Sequence, residues 1–249
     1  MSGHSKWASI KRKKATTDAK RGAVFTRVIK EITVAARMGG GDPDANPRLR
    51  MAIAQAKNAN MPAVNVERAI KKGTGDLPGV RYESCTYEGY GPGGAAILIE
   101  AMTDNRRRTV ADIRHLMTKY GGNLGESGSV AWQFENRGTI FVPAEGVSED
   151  DLFDTAVEYG ADEIENDGEQ YLISVPAERA FDLQRALEER QFTVSSVEIG
   201  LEPTNTVDVT GAEARRLLKL LSGLDDNEDV EKVSSNCNIA ETDLASFAG

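Results

Sequence analysis

The hydrophobic rhythm of this chain changes once, near residue 80, and that change limits the folds open to it. Before it, apolar residues recur at three- and four-residue spacing, the period of a helix with one buried face. After it, short runs rich in Val and Ile alternate with helical patterns, as in sheets covered by helices. One part must bury its apolar surface helix on helix, the other helix on sheet.

In the first part, Phe25, Val28, Ile29, Ile32, Ala35 and Ala36 mark one face of a helix over residues 18–38, capped by Asp18 and stopped by Gly39-Gly40-Gly41. Lys20, Arg27, Lys30 and Arg37 fall on the opposite side of the wheel, while Arg21 and Val34 break the pattern. Asn46-Pro47 is a cap with proline at the first helical position. The helix it opens carries Leu49, Ala52, Ile53 and Ala56 on one face and breaks at Met61-Pro62. A third helix holds Val66, Ala69 and Ile70 and ends at Lys71-Lys72-Gly73, where positive charge suits the helix dipole. Residues 73–79, with Gly, Pro and Asp, read as a linker.

Beyond the linker, residues 82–87 and 95–102 read as strands around the glycine-rich turn 89–94. A helix follows with Val110, Ile113, Met117 and Tyr120 inward, then a glycine-rich loop and a strand at 129–134. The next section is self-contained: a strand at 139–142, a helix opened by Ser148-Glu149-Asp150-Asp151, strands at 162–165 and 170–175 around Asn166-Asp167-Gly168, a helix to about 190 and a strand at 192–199. That order is βαββαβ, a ferredoxin-like unit. Its flanks, each ending in βαβ, join into a second such unit, with strands at 206–209 and 230–234. The expected fold is α+β and multidomain: an N-terminal helical domain over 1–79, then two ferredoxin-like α+β domains, one inserted in the other. The outer one spans 80–136 plus 204–249 and the inserted one 137–203.

Charge follows the same boundary. Residues 1–79 carry 16 Lys and Arg against 6 Asp and Glu; residues 80–249 carry 14 against 33. The overall charge of −9 therefore averages a strongly basic part with a strongly acidic one. A basic part of this kind is the electrostatic footprint of a nucleic-acid partner. No apolar run approaches the ~18–20 residues of a membrane span, so no membrane partner is expected. The basic opening, Met1-Ser2-Gly3-His4-Ser5-Lys6-Trp7, lacks the apolar stretch of a secretory signal. Cys85 and Cys237 stand alone, which excludes a disulfide framework and fits a reducing, cytoplasmic setting.

The chemical motifs fail on context. Gly89, Gly91 and Gly94 satisfy G-x-G-x-x-G by letter, but a strand follows where a dinucleotide site needs a helix. The run Asp225-Asp226-Asn227-Glu228-Asp229 opens like a calcium loop, yet Val230 replaces the required glycine and Asn236 the closing Glu. Ser127 is followed by Gly128 and Ser129, so no nucleophile elbow forms. No Ser/His/Asp set can be built on His4 or His115. The expectation is a protein without catalytic residues, metal, cofactor or small-molecule substrate.

What remains is basic. Lys6, Lys11, Arg12, Lys13 and Lys14 flank Trp7, a flat aromatic suited to stacking on a base. Lys20, Arg21, Arg27, Lys30 and Arg37 extend the positive surface along one helix, with Arg48 and Arg50 beside it. Such contacts hold a phosphate backbone without reading its sequence. Arg106-Arg107-Arg108 is the one dense basic cluster of the acidic part. It opens a helix, where positive charge is unfavourable, and so calls for a carboxylate or phosphate nearby. With His4, these residues form the candidate interface.

Longer motifs point to a family. Gly3-His4-Ser5-Lys6-Trp7, Lys13-Lys14, Arg21-Gly22, Asn46-Pro47-Arg48-Leu49-Arg50 and Asn60-Met61-Pro62 resemble the opening of the YebC (YebC/PmpR) family. Tyr87-Glu88-Gly89-Tyr90-Gly91-Pro92, Thr103-Asp104-Asn105-Arg106 and Gly121-Gly122-Asn123-Leu124-Gly125 continue the match. The resemblance implies three domains and cytoplasmic proteins without enzymatic activity, known as DNA-binding transcriptional regulators. Some relatives act instead in translation, including the mitochondrial translational activator of a cytochrome oxidase subunit, and bacterial relatives are linked to ribosomes stalled on proline-rich sequences. A DNA-binding regulator is expected first, an RNA- or ribosome-associated translation factor second, and a monomer in either case. Two positions depart from the family pattern. Val64 stands where an acidic residue is usual, weakening the cap of the third helix, and Arg107 stands where Asn is usual.

Overall fold

The computed structural model describes residues 18–248. Three helices come first: α1 (Asp18–Gly39), α2 (Pro47–Asn58) and α3 (Ala63–Thr74). Their shared core holds Val28, Ile32, Ala35, Leu49, Ala52, Ala56 and Ala69, the residues that the helical spacing marks. Asn46 caps α2 by accepting from the Leu49 N–H at 3.1 Å, and its Nδ2 donates to the carbonyls of Ala35 and Gly40. One buried side chain thus ties the end of α1 to the start of α2. The N-cap of α3 is Pro62, which has no side-chain bond to give.

The α+β part begins with the hairpin β1 (Glu83–Tyr90) and β2 (Ala96–Thr103), in register from Glu83 opposite Thr103 to Tyr90 opposite Ala96. Then come α4 (Arg106–Lys119), the two-residue β3 (Asn123–Leu124) and β4 (Phe134–Pro143). With β4 starts the inserted unit: α5 (Glu149–Glu158), β5 (Glu163–Asn166), β6 (Gln170–Pro176), α6 (Ala180–Glu189) and β7 (Ser196–Pro203). Its sheet order is β5-β6-β4-β7, all antiparallel, which is the ferredoxin-like arrangement. The chain then returns through β8 (Val207–Val209), α7 (Gly211–Asp225), β9 (Val230–Ser235), β10 (Cys237–Ile239) and α8 (Glu241–Ala248).

The outer sheet has the order β3-β1-β2-β9, so its strands are drawn differently from the sequence expectation. The segment 129–134 is not one of its strands. Gly128, Val130 and Ala131 donate their N–H groups to the buried Glu88 carboxylate at 2.7–2.8 Å. This curls the chain into a short 3₁₀ turn, Ala131–Gln133, before β4 starts at Phe134. In its stead β1 pairs with β2 and the short β3 forms the edge, and Val207–Val209 pairs in parallel with Cys237–Ile239 in a separate ribbon. Helices α4 and α7 cover one face, where Ile97 and Ile99 meet Ile113, Met117, Leu217 and Leu221. On the other face, Ala96 and Leu98 meet Val130 and Phe134.

The linker also differs. Helix α3 runs on to Thr74, and Gly73 lies inside it, buried. A Cβ there would stand 2.5 Å from the Thr33 carbonyl oxygen and 2.7 Å from the Ala36 Cβ. The glycine serves a close crossing of α3 over α1 rather than a turn.

Candidate nucleic-acid interface

Helix α1 has two buried faces. Its apolar side packs on α2 and α3, and much of its basic side packs on the α7–β9 connection. Lys30 is only 5% exposed. Its Nζ lies 2.6 Å from Asp229 Oδ1 and donates to the carbonyls of Met102 at 3.1 Å and Glu228 at 2.9 Å, with the Tyr82 ring 5.7 Å away. Arg27 donates to the carbonyls of Asp225 and Asn227, at the C-terminal end of α7, where the helix dipole favours a cation. The open positive face expected along this helix is therefore corrected. Arg27 and Lys30 face the neighbouring sheet domain, because backbone carbonyls at a helix end and a buried carboxylate attract cations as solvent phosphate would.

Asp229 is the hub of this seam. Its second oxygen accepts from Arg108 Nη2 at 2.9 Å, Thr109 Oγ1 at 2.8 Å and Thr103 Oγ1 at 3.2 Å. Burial alone would push its carboxyl up; the bonds from Lys30, Arg108 and Thr109 outweigh it and hold the group at about 2. Arg108 also pairs with Asp104 at 2.8 Å, and its guanidinium is held charged by these two carboxylates. The carboxylate that the basic start of α4 calls for is thus present, and Arg108 is committed to it.

The other expected residues divide by their partners. His4, Lys6, Trp7, Lys11, Arg12, Lys13 and Lys14 lie outside the described residues. Lys20 and Arg21 fall in the first turn of α1, outside the described side chains. Arg48 grips Glu31 with two bonds of 2.7 and 2.9 Å, and Arg50 donates to the carbonyls of Pro43 and Asp44. Both residues remain exposed. Arg37 is exposed and donates to the Val80 carbonyl at 3.2 Å. Arg106 and Arg107 are exposed.

Further exposed cations lie beside this surface, among them Arg68, Lys71 and Arg81, which the sequence does not single out as interface residues. Arg37 bonds to Val80, and Leu77 bonds back to the Lys71 carbonyl. The last turns of α1 and α3 and the connection to β1 therefore lie together. The pairing of Glu83 with Thr103 carries Arg81 towards Arg106. The signal available in the sequence was the basic close of α3, read only as a match to the helix dipole.

A cleft of about 590 Å³ opens where α1, β9 and β7 meet, with Glu31, Glu100 and Glu231 on its walls beside Arg27 and Lys232. Burial first, then the neighbouring Glu31 and Glu100, push the Glu231 carboxyl up to about 7. With both signs on its walls, the cleft presents no continuous positive surface to a phosphate backbone. Among the described residues, no group of three or more His, Cys, Asp or Glu is arranged to hold a metal ion, and no helix is long and apolar enough to cross a membrane.

Residues 5–76 match the family model of the TACO1/YebC protein N-terminal domain, and residues 82–237 match that of the TACO1/YebC second and third domain. A probable transcriptional regulatory protein of Sulfurihydrogenibium sp. is 53% identical, with all of both chains covered. One from Chlorobaculum parvum is 52% identical over 99% of each chain. The crystal structure of a conserved hypothetical protein from Aquifex aeolicus superimposes with a TM-score of 0.81 at 46% identity, covering 95% of this chain and 98% of that one.

Proposed function

The chain belongs to the TACO1/YebC family, and from that premise we propose that it is a non-enzymatic, nucleic-acid-binding regulator of gene expression. The first reading is a cytoplasmic DNA-binding transcriptional regulator, in line with the names its relatives carry. The observation that carries it is the separation of charge by domain: a basic N-terminal region on an acidic body. The basic tail around Trp7 supplies the densest contacts, and Arg37, Arg48, Arg50, Arg106 and Arg107 extend them over the described surface. The acidic body limits non-specific adhesion to other polyanions.

One feature of α3 favours a second reading, an RNA- or ribosome-associated translation factor. A helix that reads base edges presents polar side chains from its first turn. The exposed first-turn positions of α3 are Ala63 and Val64, and its exposed cations Arg68 and Lys71 come later. Contacts of that kind grip a backbone without reading sequence, and they suit structured RNA as well as duplex DNA.

Crosslinking the protein to nucleic acid in cells and sequencing what is attached separates the two. Recovery of promoter DNA without ribosomal RNA is the outcome expected for the first reading. Clustered ribosomal RNA sites would replace it with the second, and recovery of neither would remove both.

A further inference from the structure

The acidic part of the chain hides a basic layer. Residues 80–249 carry a large excess of Asp and Glu, yet α4 and α7 together hold eight Lys and Arg against three acids. These two helices pack side by side on one face of the outer sheet. Their apolar stripes, with Ile113 and Met117 on α4 and Leu217, Leu221 and Leu224 on α7, are fully buried against it. The basic side chains are forced onto the outer side. Arg107 and Arg114, seven residues apart, share one face of α4, and Arg215 and Lys219, four apart, share one face of α7. Arg216 and Lys119 complete the set, and all six are exposed.

The two halves of the layer are continuous. A Cβ on Gly223 of α7 would lie 3.4 Å from Leu116 and 3.7 Å from Tyr120 at the end of α4. The Arg216 guanidinium lies 3.8 Å from the Cβ position of Gly121, just after α4. Of the three acids, Asp225 is drawn to Arg27 at the domain seam, away from this surface. Asp112 and Glu213 remain on the layer.

Several cations elsewhere in the α+β part are tied to carboxylates, Arg137 to Asp162, Arg185 to Asp182 and Arg190 to Glu158, and Lys232 donates to the Ile199 carbonyl. None of the six on this layer makes an ion pair with a carboxylate of the described residues. In a body so rich in acid, a cationic row without ion pairs is complementary to an external polyanion.

We propose that the outer face of the α4–α7 layer is a second phosphate-contact surface, carrying bound nucleic acid from the N-terminal basic region onto the outer sheet domain. This rests on the nucleic-acid reading above and adds a place to it. The ligand chemistry is a phosphodiester backbone, from duplex DNA or from structured RNA.

The test uses the full chain with Arg114, Arg215 and Arg216 changed together to Gln, beside the single changes R114Q and R216Q. Affinity for a duplex DNA and for a hairpin RNA of similar length is measured from ~50 to ~200 mM salt. Each released contact takes about 0.9 from the slope of log affinity against log salt on duplex DNA, and about 0.7 on single strands. The triple variant is expected to lose about 2–3 from the slope and roughly 30- to 100-fold in affinity near 0.15 M salt. The single variants each lose about 0.9, so the result does not depend on the triple variant alone. Loss confined to one polymer identifies the backbone source. Wild-type binding with unchanged slopes in the variants overturns this surface and leaves the nucleic-acid reading standing. A wild-type chain that binds neither polymer overturns both.

Discussion

Changing Lys30 to Met is expected to lower the stability of the chain by about 3–4 kcal/mol, a size set by stranding a buried charge. The ammonium group sits among one carboxylate and two carbonyls on the far side of a domain seam. Met fills similar volume but leaves Asp229 to Arg108, Thr109 and Thr103, and leaves the Met102 and Glu228 carbonyls without this donor. The surviving partners of Asp229 keep the loss near the lower end of the ~3–5 kcal/mol range for a broken buried pair. The sign of the pH effect follows from the carboxyl. Its value in the fold, about 2, lies below its ordinary 3.8. Its contribution is therefore complete above about pH 4 and is lost as pH falls towards 2. Without Lys30 that depression shrinks, so the variant loses stability less steeply across the same acid window. Denaturant unfolding followed at several pH values checks both parts. A loss under about 1 kcal/mol would mean that the seam is held by other contacts.

Gly73→Ala is expected to cost about 2–3 kcal/mol, against the gain of roughly 1 kcal/mol that helix propensity alone would give. The new methyl would meet backbone, the Thr33 carbonyl at 2.5 Å and the Arg37 nitrogen at 3.2 Å, as well as the Ala36 Cβ. None of these is the far end of a flexible side chain, so α3 has to lift from α1 and loosen the core around Ile32 and Ala69. In a chain of this size the loss corresponds to roughly 5–10 °C in Tm. A thermal melt that shifts upward would show that propensity outweighs the crossing.

These two residues mark the limit of what can be read without tertiary structure. The helical period and the Asn46-Pro47 cap place α1 to α3 closely, and the strand–helix order of the inserted unit is legible because each of its turns has its own local signal. A helical wheel puts Lys30 on a polar side, but it cannot tell water from another domain's carbonyls. Gly73 beside Thr74-Gly75-Asp76 reads as the start of a loop, since nothing local announces a neighbouring helix. The strand expected over 129–134 is undone by a carboxylate forty residues away, at Glu88. Val207–Val209 has the composition of a sheet strand, and only long-range pairing decides that its partner is Cys237–Ile239. The candidate interface shows the same limit. The basic tail and Arg106 to Arg108 stand out by density, whereas the cations of α4 and α7 vanish in a charge sum over an acidic half.

Nucleic-acid binding by this chain requires cations that the fold leaves exposed to a phosphate backbone. The most direct measurement is the affinity of the intact wild-type chain for duplex DNA and for structured RNA as a function of salt. A straight, steep fall of log affinity with log salt is expected, with a slope of about −4 or steeper, as for five or more released contacts. Absence of binding at low salt, or binding whose slope stays near zero, would contradict it.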